Sequence, residues 1–196
     1  MSDGVDLGRR RFLGAATGVT SAVGVAFVAV PFLASWKPSA RAQALGAPVE
    51  VDIGKLEDGA MLRVEWRGKP VWVLKRTPEM IERLAAADDM VRDPNSVEPQ
   101  QPGYAANQHR SIRPEVLVVI GSCTHLGCSP MARFEPGTPD LGADWPGGFF
   151  CACHGSKFDL AGRVWRGVPA PLNLVVPPHQ YINESTILVG VDTEAA

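Results

Sequence analysis

The chain is short of what most function classes need. It has no basic surplus: 19 Lys and Arg stand against 21 Asp and Glu in 196 residues, a net charge of −2. A nucleic-acid binder gathers excess positive charge on one face, so that class is excluded. Cysteine is scarce, at four residues, too few for a fold stapled by disulfides, so each one needs its own reason. There is no internal repeat, low-complexity tract, phosphate loop, nucleophile triad or acid pair. At 45% hydrophobic and 20% charged, the composition is not that of a disordered chain. The longest gap is in charge itself. No charged residue occurs from Phe12 to Trp36, a run of 25.

Within that gap, Gly14–Leu33 is long enough to cross a bilayer as a helix of roughly 30 Å. A soluble core helix would carry a polar face, which this segment lacks. Arg9, Arg10, Arg11, Phe12 and Leu13 resemble a twin-arginine export signal. The positive-inside rule keeps this end in the cytoplasm and sends the rest across. Ala42-Gln43-Ala44 offers a small-residue cleavage site, but it lies too far beyond the apolar run for ordinary processing. The expected layout is a cytoplasmic N-terminus at 1–13, an uncleaved transmembrane anchor at 14–35, a flexible hinge at 36–48 and a periplasmic domain at 49–196.

The exported part is mildly acidic, with 15 Lys and Arg against 19 Asp and Glu after Lys37. Val49–Ile53 reads as a strand. Leu62–Trp66 and Val71–Leu74 flank Arg67-Gly68 and alternate in polarity, predicting a hairpin. Thr77-Pro78-Glu79 is a helix start, predicting a helix to about Ala87. Val116–Ile120 is a short apolar run and predicts a buried strand. Twelve of the 17 Pro fall between Pro94 and Pro178, which predicts ordered loops between short strands. Asn173–Val176 and Thr186–Val191 read as closing strands. His109 and His179, near polar residues and prolines, are expected in solvent.

All four Cys lie in two boxes, Cys123-Thr-His125-Leu-Gly-Cys128 and Cys151-Ala-Cys153-His154-Gly-Ser156. Each box carries one Cys and one His at short spacing plus a second Cys. Three readings follow from the residues alone: two disulfides, a zinc site of mixed Cys and His ligands, or a 2Fe–2S centre with two thiolates and two imidazoles. The last leaves one Cys in each box, and an oxidising compartment permits those to pair.

The boxes resemble those of Rieske iron–sulfur proteins. The likeness extends to Trp66-Arg-Gly-Lys-Pro70, Arg76-Thr77, Arg92-Asp-Pro94 and Gly167-Val-Pro-Ala-Pro-Leu-Asn173. Together with the twin-Arg segment they are similar to the Rieske subunits of ubiquinol–cytochrome c reductase, the cytochrome bc complex. The resemblance implies an all-β fold: an antiparallel β-sandwich with a small cluster-binding subdomain at about 121–175, one helical insertion and a single N-terminal membrane helix. It implies one 2Fe–2S cluster held by Cys123, His125, Cys151 and His154, with His154 bonding the quinol and accepting its proton. It also implies a Cys128–Cys153 disulfide.

By the same resemblance, Ser156 bonds a bridging sulfide, and Leu126, Gly127, Pro169, Ala170 and Pro171 form an apolar cover that docks. Where the respiratory relatives carry Tyr, this chain has Phe158, which implies a lower potential. The implied partners are cytochrome b, a c-type cytochrome, ubiquinol and membrane lipid in a dimeric complex, with no nucleic acid. The alternative is a Rieske subunit of another exported oxidoreductase, such as arsenite oxidase.

Overall fold

A computed structural model describes residue 4 and residues 6–191. Parts of the expected segments 1–13 and 49–196, namely residues 1–3, 5 and 192–196, lie outside the described residues. The chain divides into two units, Met1–Ala44 and Leu45–Ala196.

In the first unit, helix α1 spans Leu7–Ala34. It starts earlier than the uncharged run predicts because Asp6 caps it, its carboxylate accepting from the Arg9 N–H at 3.1 Å. Arg9, Arg10 and Arg11 therefore lie inside the helix. None of its residues is buried, and it is long and apolar enough to cross a membrane. The expected hinge is not without structure: helix α2 occupies Ala40–Gly46. Ser39 supplies its start, accepting from the Ala42 N–H at 3.2 Å, and Ala40-Arg-Ala-Gln-Ala-Leu45 are strong helix formers. The missing apolar periodicity hid a helix that rests on propensity rather than packing.

The second unit is built from three antiparallel three-stranded sheets. Strands β1 (Val49–Asp52), β8 (His179–Asn183) and β9 (Thr186–Val189) form one, in the order β1-β9-β8. Strands β2 (Met61–Trp66), β3 (Lys69–Lys75) and β4 (Val116–Ile120) form the second. Strands β5 (Met131–Arg133), β6 (Gly148–Cys151) and β7 (Ser156–Phe158) form the third. This is the expected all-β architecture, with one helical insertion, α3 (Pro78–Ala86). Thr77 caps α3, its hydroxyl accepting from the Met80 N–H at 3.3 Å, and Met80 and Leu84, four apart on one face, are buried.

The middle sheet feeds two cores because side chains alternate across a strand. Trp72, Leu74, Leu117 and Val119 pack toward Phe149, Phe158 and Leu160. Val71, Val73, Val116 and Val118 pack toward Val51, Ile187 and Val189. Strand β4 is buried along its whole length, as its apolar run predicts; each such side chain contributes about 1.5–3 kcal/mol. Cys123 and Cys151 belong to the first core, so both boxes start from its floor. Trp72 stacks on Phe149 at 5.1 Å between ring centroids, joining β3 to β6 beneath them.

Two local expectations fail. Asn173–Val176 is not a strand: Val175 C=O accepts from the Ile120 N–H and the Val176 N–H donates to Gln100 C=O, both at 2.8 Å, so successive residues bond to different segments and no ladder forms. The strand falls instead at β8. His179 begins it and is 1% exposed, not solvated. Its Nδ1 lies 2.8 Å from Pro177 C=O, its backbone N–H donates to the Tyr104 hydroxyl at 2.7 Å, and its ring meets Tyr104 edge-on. His109 is half-buried rather than free in solvent.

Burial holds the His179 imidazole below its ordinary value of 6.5. A base depressed in the fold costs nothing when both states are neutral and destabilises the fold once the unfolded chain takes the proton. Thermal stability therefore declines as pH falls below about 6.5, and His179→Gln flattens that part of the profile. An unchanged slope in the variant would assign the decline to other groups.

Three arginines are buried, against the rule that charge stays outside. Arg163 Nε donates to Asp159 at 2.7 Å, and its terminal nitrogens reach Asp88 at 2.6 Å and the carbonyls of Leu84 and Pro94. Arg110 donates to Ala161 and Gly162 carbonyls and to Gln101 Oε1. Arg76 donates to His109 and Leu160 carbonyls and to the Ser111 hydroxyl. Burial lowers Arg76 and Arg110 to about 10, still charged at neutral pH. These side chains satisfy carbonyls of the long loops, which a sheet would otherwise pair.

Candidate metal centre

The two boxes are built alike. The first leaves the end of β4, and the Gly127 N–H donates back to Cys123 C=O at 2.9 Å. The second joins β6 to β7, and the Gly155 N–H donates back to Cys151 C=O, also at 2.9 Å. Both glycines close their turns at positive φ, 84° and 80°, which a side chain would strain. Cys123 N–H donates to Cys128 C=O at 2.7 Å, shutting the first loop on itself.

Cys128 and Cys153 are joined as a disulfide, so one Cys of each box ties the loops together. Cys123 and Cys151 are free and buried. The reading with two disulfides is thereby set aside. The imidazoles of His125 and His154 meet edge to face, 4.7 Å between centroids. His125 Nδ1 is buried without a hydrogen-bond partner, whereas His154 is exposed. Burial, then the neighbouring Cys123 thiol, pushes the Cys151 thiol up, so its thiolate is costly until a cation meets it. Cys151 Sγ also lies within 4.8 Å of the disulfide sulfurs, but those are spent on each other. Two thiols and two imidazoles, with one ring nitrogen orphaned, fit a mixed thiolate–imidazole metal group.

The remaining expected residues surround this point. Leu126 is 71% exposed and Gly127 is exposed. Pro169 and Pro171 are exposed too, but Ala170 is fully buried and so covers rather than docks. Ser156 is buried and its oxygen accepts from the Ala170 N–H at 3.0 Å. That bond occupies a lone pair and leaves the O–H proton to donate. Phe158 is fully buried in the first core and pairs with Phe149 across the sheet. Thr124, for which the sequence offers no role beyond membership of the first box, donates its hydroxyl to Leu172 C=O at 2.6 Å, fastening that box to the 167–173 turn. Only its place between Cys123 and His125 hinted at a role.

This fold and donor set define a class, and the comparison agrees: the Rieske [2Fe-2S] domain family matches residues 48–178. The bound group is thus a Rieske 2Fe–2S cluster. The family described as Ubiquitinol-cytochrome C reductase Fe-S subunit TAT signal matches residues 1–39. The ubiquinol–cytochrome c reductase iron-sulfur subunit of Allochromatium vinosum is 60% identical over all of this chain and 94% of that protein. That of Blastochloris viridis is 42% identical over 96% of each chain. The mitochondrial cytochrome b-c1 complex subunit Rieske of Schizosaccharomyces pombe is 41% identical over 88% of this chain and 67% of its own length. The chain belongs to the iron–sulfur subunits of ubiquinol–cytochrome c reductase. The arsenite oxidase alternative loses its ground at that level of identity.

Proposed function

We propose that Cys123 and Cys151 hold the inner iron of the cluster and His125 and His154 the outer one, and that the chain takes one electron and one proton from ubiquinol and passes the electron to a c-type cytochrome. The observation that carries this reading is the pair of imidazoles on disulfide-tied loops, 4.7 Å apart and beside exposed Leu126. When bound, the cluster supplies a one-electron couple whose potential imidazole ligation raises above that of an all-Cys centre.

The residues do the rest. His154, whose exposure supports the role, hydrogen-bonds quinol and receives its proton on this reading. Leu126 and Pro171 offer an apolar rim that keeps water from the transfer when it docks. The partners on this reading are cytochrome b, which takes the second electron, and a c-type cytochrome, within a dimeric complex. Helix α1 anchors the chain in the lipid of the inner membrane with the cluster domain in the periplasm, and the residues of 36–48 that flank α2 let that domain travel. The exposed apolar surface of α1 supports the anchoring.

Co-purification tests the reading. Detergent-solubilised complex carrying a tag on this chain is expected to retain b- and c-type haem and to reduce cytochrome c with ubiquinol. A redox-active chain recovered without haem would assign it to a different oxidoreductase.

Phe158 bears on the potential. By the resemblance, a Tyr hydroxyl in place of Phe158, which shares the first core with Cys123 and Cys151, would donate to a ligand sulfur, and such a bond is worth about 1 kcal/mol. A one-electron couple moves about 40 mV per kcal/mol. Phe158→Tyr is expected to raise the midpoint by some tens of millivolts in a redox titration; an unchanged or lower midpoint would refute this.

A further inference from the structure

The 167–173 turn covers both boxes, and its inner bonds are already described: Thr124 to Leu172 C=O and Ala170 N–H to Ser156. What holds the turn from outside is segment 90–93. Val91 bridges Trp165, the Arg92 N–H donates to Val164 C=O and the Arg166 N–H to Met90 C=O, both at 2.9 Å. Those contacts fix the chain just before the turn. Just after it, Asn173 Oδ1 accepts from the Val164 N–H at 2.8 Å and its Nδ2 donates to Asp93 C=O. Between these two anchors the outer face of the turn borders a cleft of about 320 Å³, lined by Arg92, Asp93, Val97, Glu98, Pro171 and Leu172 among others. One of the lining side chains also bonds the turn. The Arg92 guanidinium donates to Pro171 C=O at 3.0 Å, from a residue 79 positions away in sequence.

We propose that Arg92 is a positioning residue for the cluster: it braces Pro171 from outside and so holds the turn against Ser156. The Ala170 N–H occupies one side of the Ser156 oxygen and thereby directs its O–H away from the turn. With the brace gone, residues 168–172 fluctuate into the cleft, the Ala170 bond opens more often and the Ser156 proton loses its direction. A hydrogen bond that favours the reduced centre is then weaker and the midpoint falls. This rests on the reading of Ser156 as a donor to the cluster. The brace itself stands on the hydrogen bonds alone.

The test uses the intact complex with Arg92→Gln and Arg92→Lys. Deuterium uptake across 168–174 is expected to quicken about five- to tenfold in Arg92→Gln, the scale of one lost charge-assisted bond. The EPR-monitored midpoint is expected to move downward. Arg92→Lys, which keeps a single donor, is expected to shift both readouts less and in the same sense. If Arg92→Gln does not assemble, Arg92→Lys alone decides, and wild-type uptake with a wild-type midpoint overturns the proposal. Faster uptake at an unchanged midpoint also overturns it, since the turn would then move without reaching the cluster. Ser156→Ala separates the two layers: an unmoved midpoint there refutes the Ser156 reading, while the uptake result still judges the brace.

Discussion

Replacing Cys151 with Ser empties the centre: the purified complex loses the reduced-state EPR signal and its iron falls from two per chain toward none. Cys151 closes β6 and is 2% exposed, with its thiol facing the free Cys123. A serine hydroxyl there would have to ionise in a buried site to bind iron, which a thiol does far more readily. The fold survives the change, because the turn at this point is made by the backbone bond from Gly155 and by pairing with Ser156. Far-UV circular dichroism of the variant should therefore match the parent. Cys153→Ser is the contrast. It opens the disulfide but removes no proposed ligand, so the signal persists and is lost faster on warming. Equal loss in both variants would contradict the division of the four cysteines.

Arg163→Met unfolds a large part of the stability margin, about 3–5 kcal/mol out of the 5–15 kcal/mol typical of a domain. The Arg163 side chain is fully buried and Asp159 beside it is 1% exposed. Removing the cation leaves that carboxylate with only the backbone N–H groups of Ala161 and Arg163, and takes one of two donors from the Leu84 carbonyl, which keeps the Ala87 N–H. Arg113→Met is the comparison. Its partner Glu184 is 93% exposed, so that pair contributes no more than about 1 kcal/mol. Thermal unfolding of the holoprotein, followed by near-UV circular dichroism, should separate the two. A loss below about 1 kcal/mol for Arg163→Met would contradict this. The double change Arg163→Met with Asp159→Leu should recover only part of the loss, because it removes the unpaired charge but leaves the Ala161 and Arg163 N–H groups without their acceptor.

What could be read from the residues was what local chemistry decides. Thr77-Pro78 announces α3 by capping, and the VLVVI run announces β4 by its apolar character. The boxes were legible because metal ligands must come from few residue types at short spacings. The three buried arginines were not, since a charged residue reads as solvated until its partners are known, and those partners lie up to 84 residues away. Strands β5 and β7, three residues each, are too short for any periodicity. Val175 misled in the opposite direction: its apolar neighbours imply a strand, but its carbonyl serves Ile120 while the next amide serves Gln100. Arg92 appeared only as part of a motif, and its reach to Pro171 needed the fold.

On the proposed assignment two imidazoles, one from each box, sit on one iron of one cluster. Electron–nuclear double resonance of the reduced complex, grown with ¹⁵N-histidine, counts them. Two inequivalent nitrogen couplings of histidine origin are predicted, with one lost in His125→Cys and the other in His154→Cys if any cluster is retained. A spectrum with no histidine nitrogen coupling, or with only one, would contradict the account.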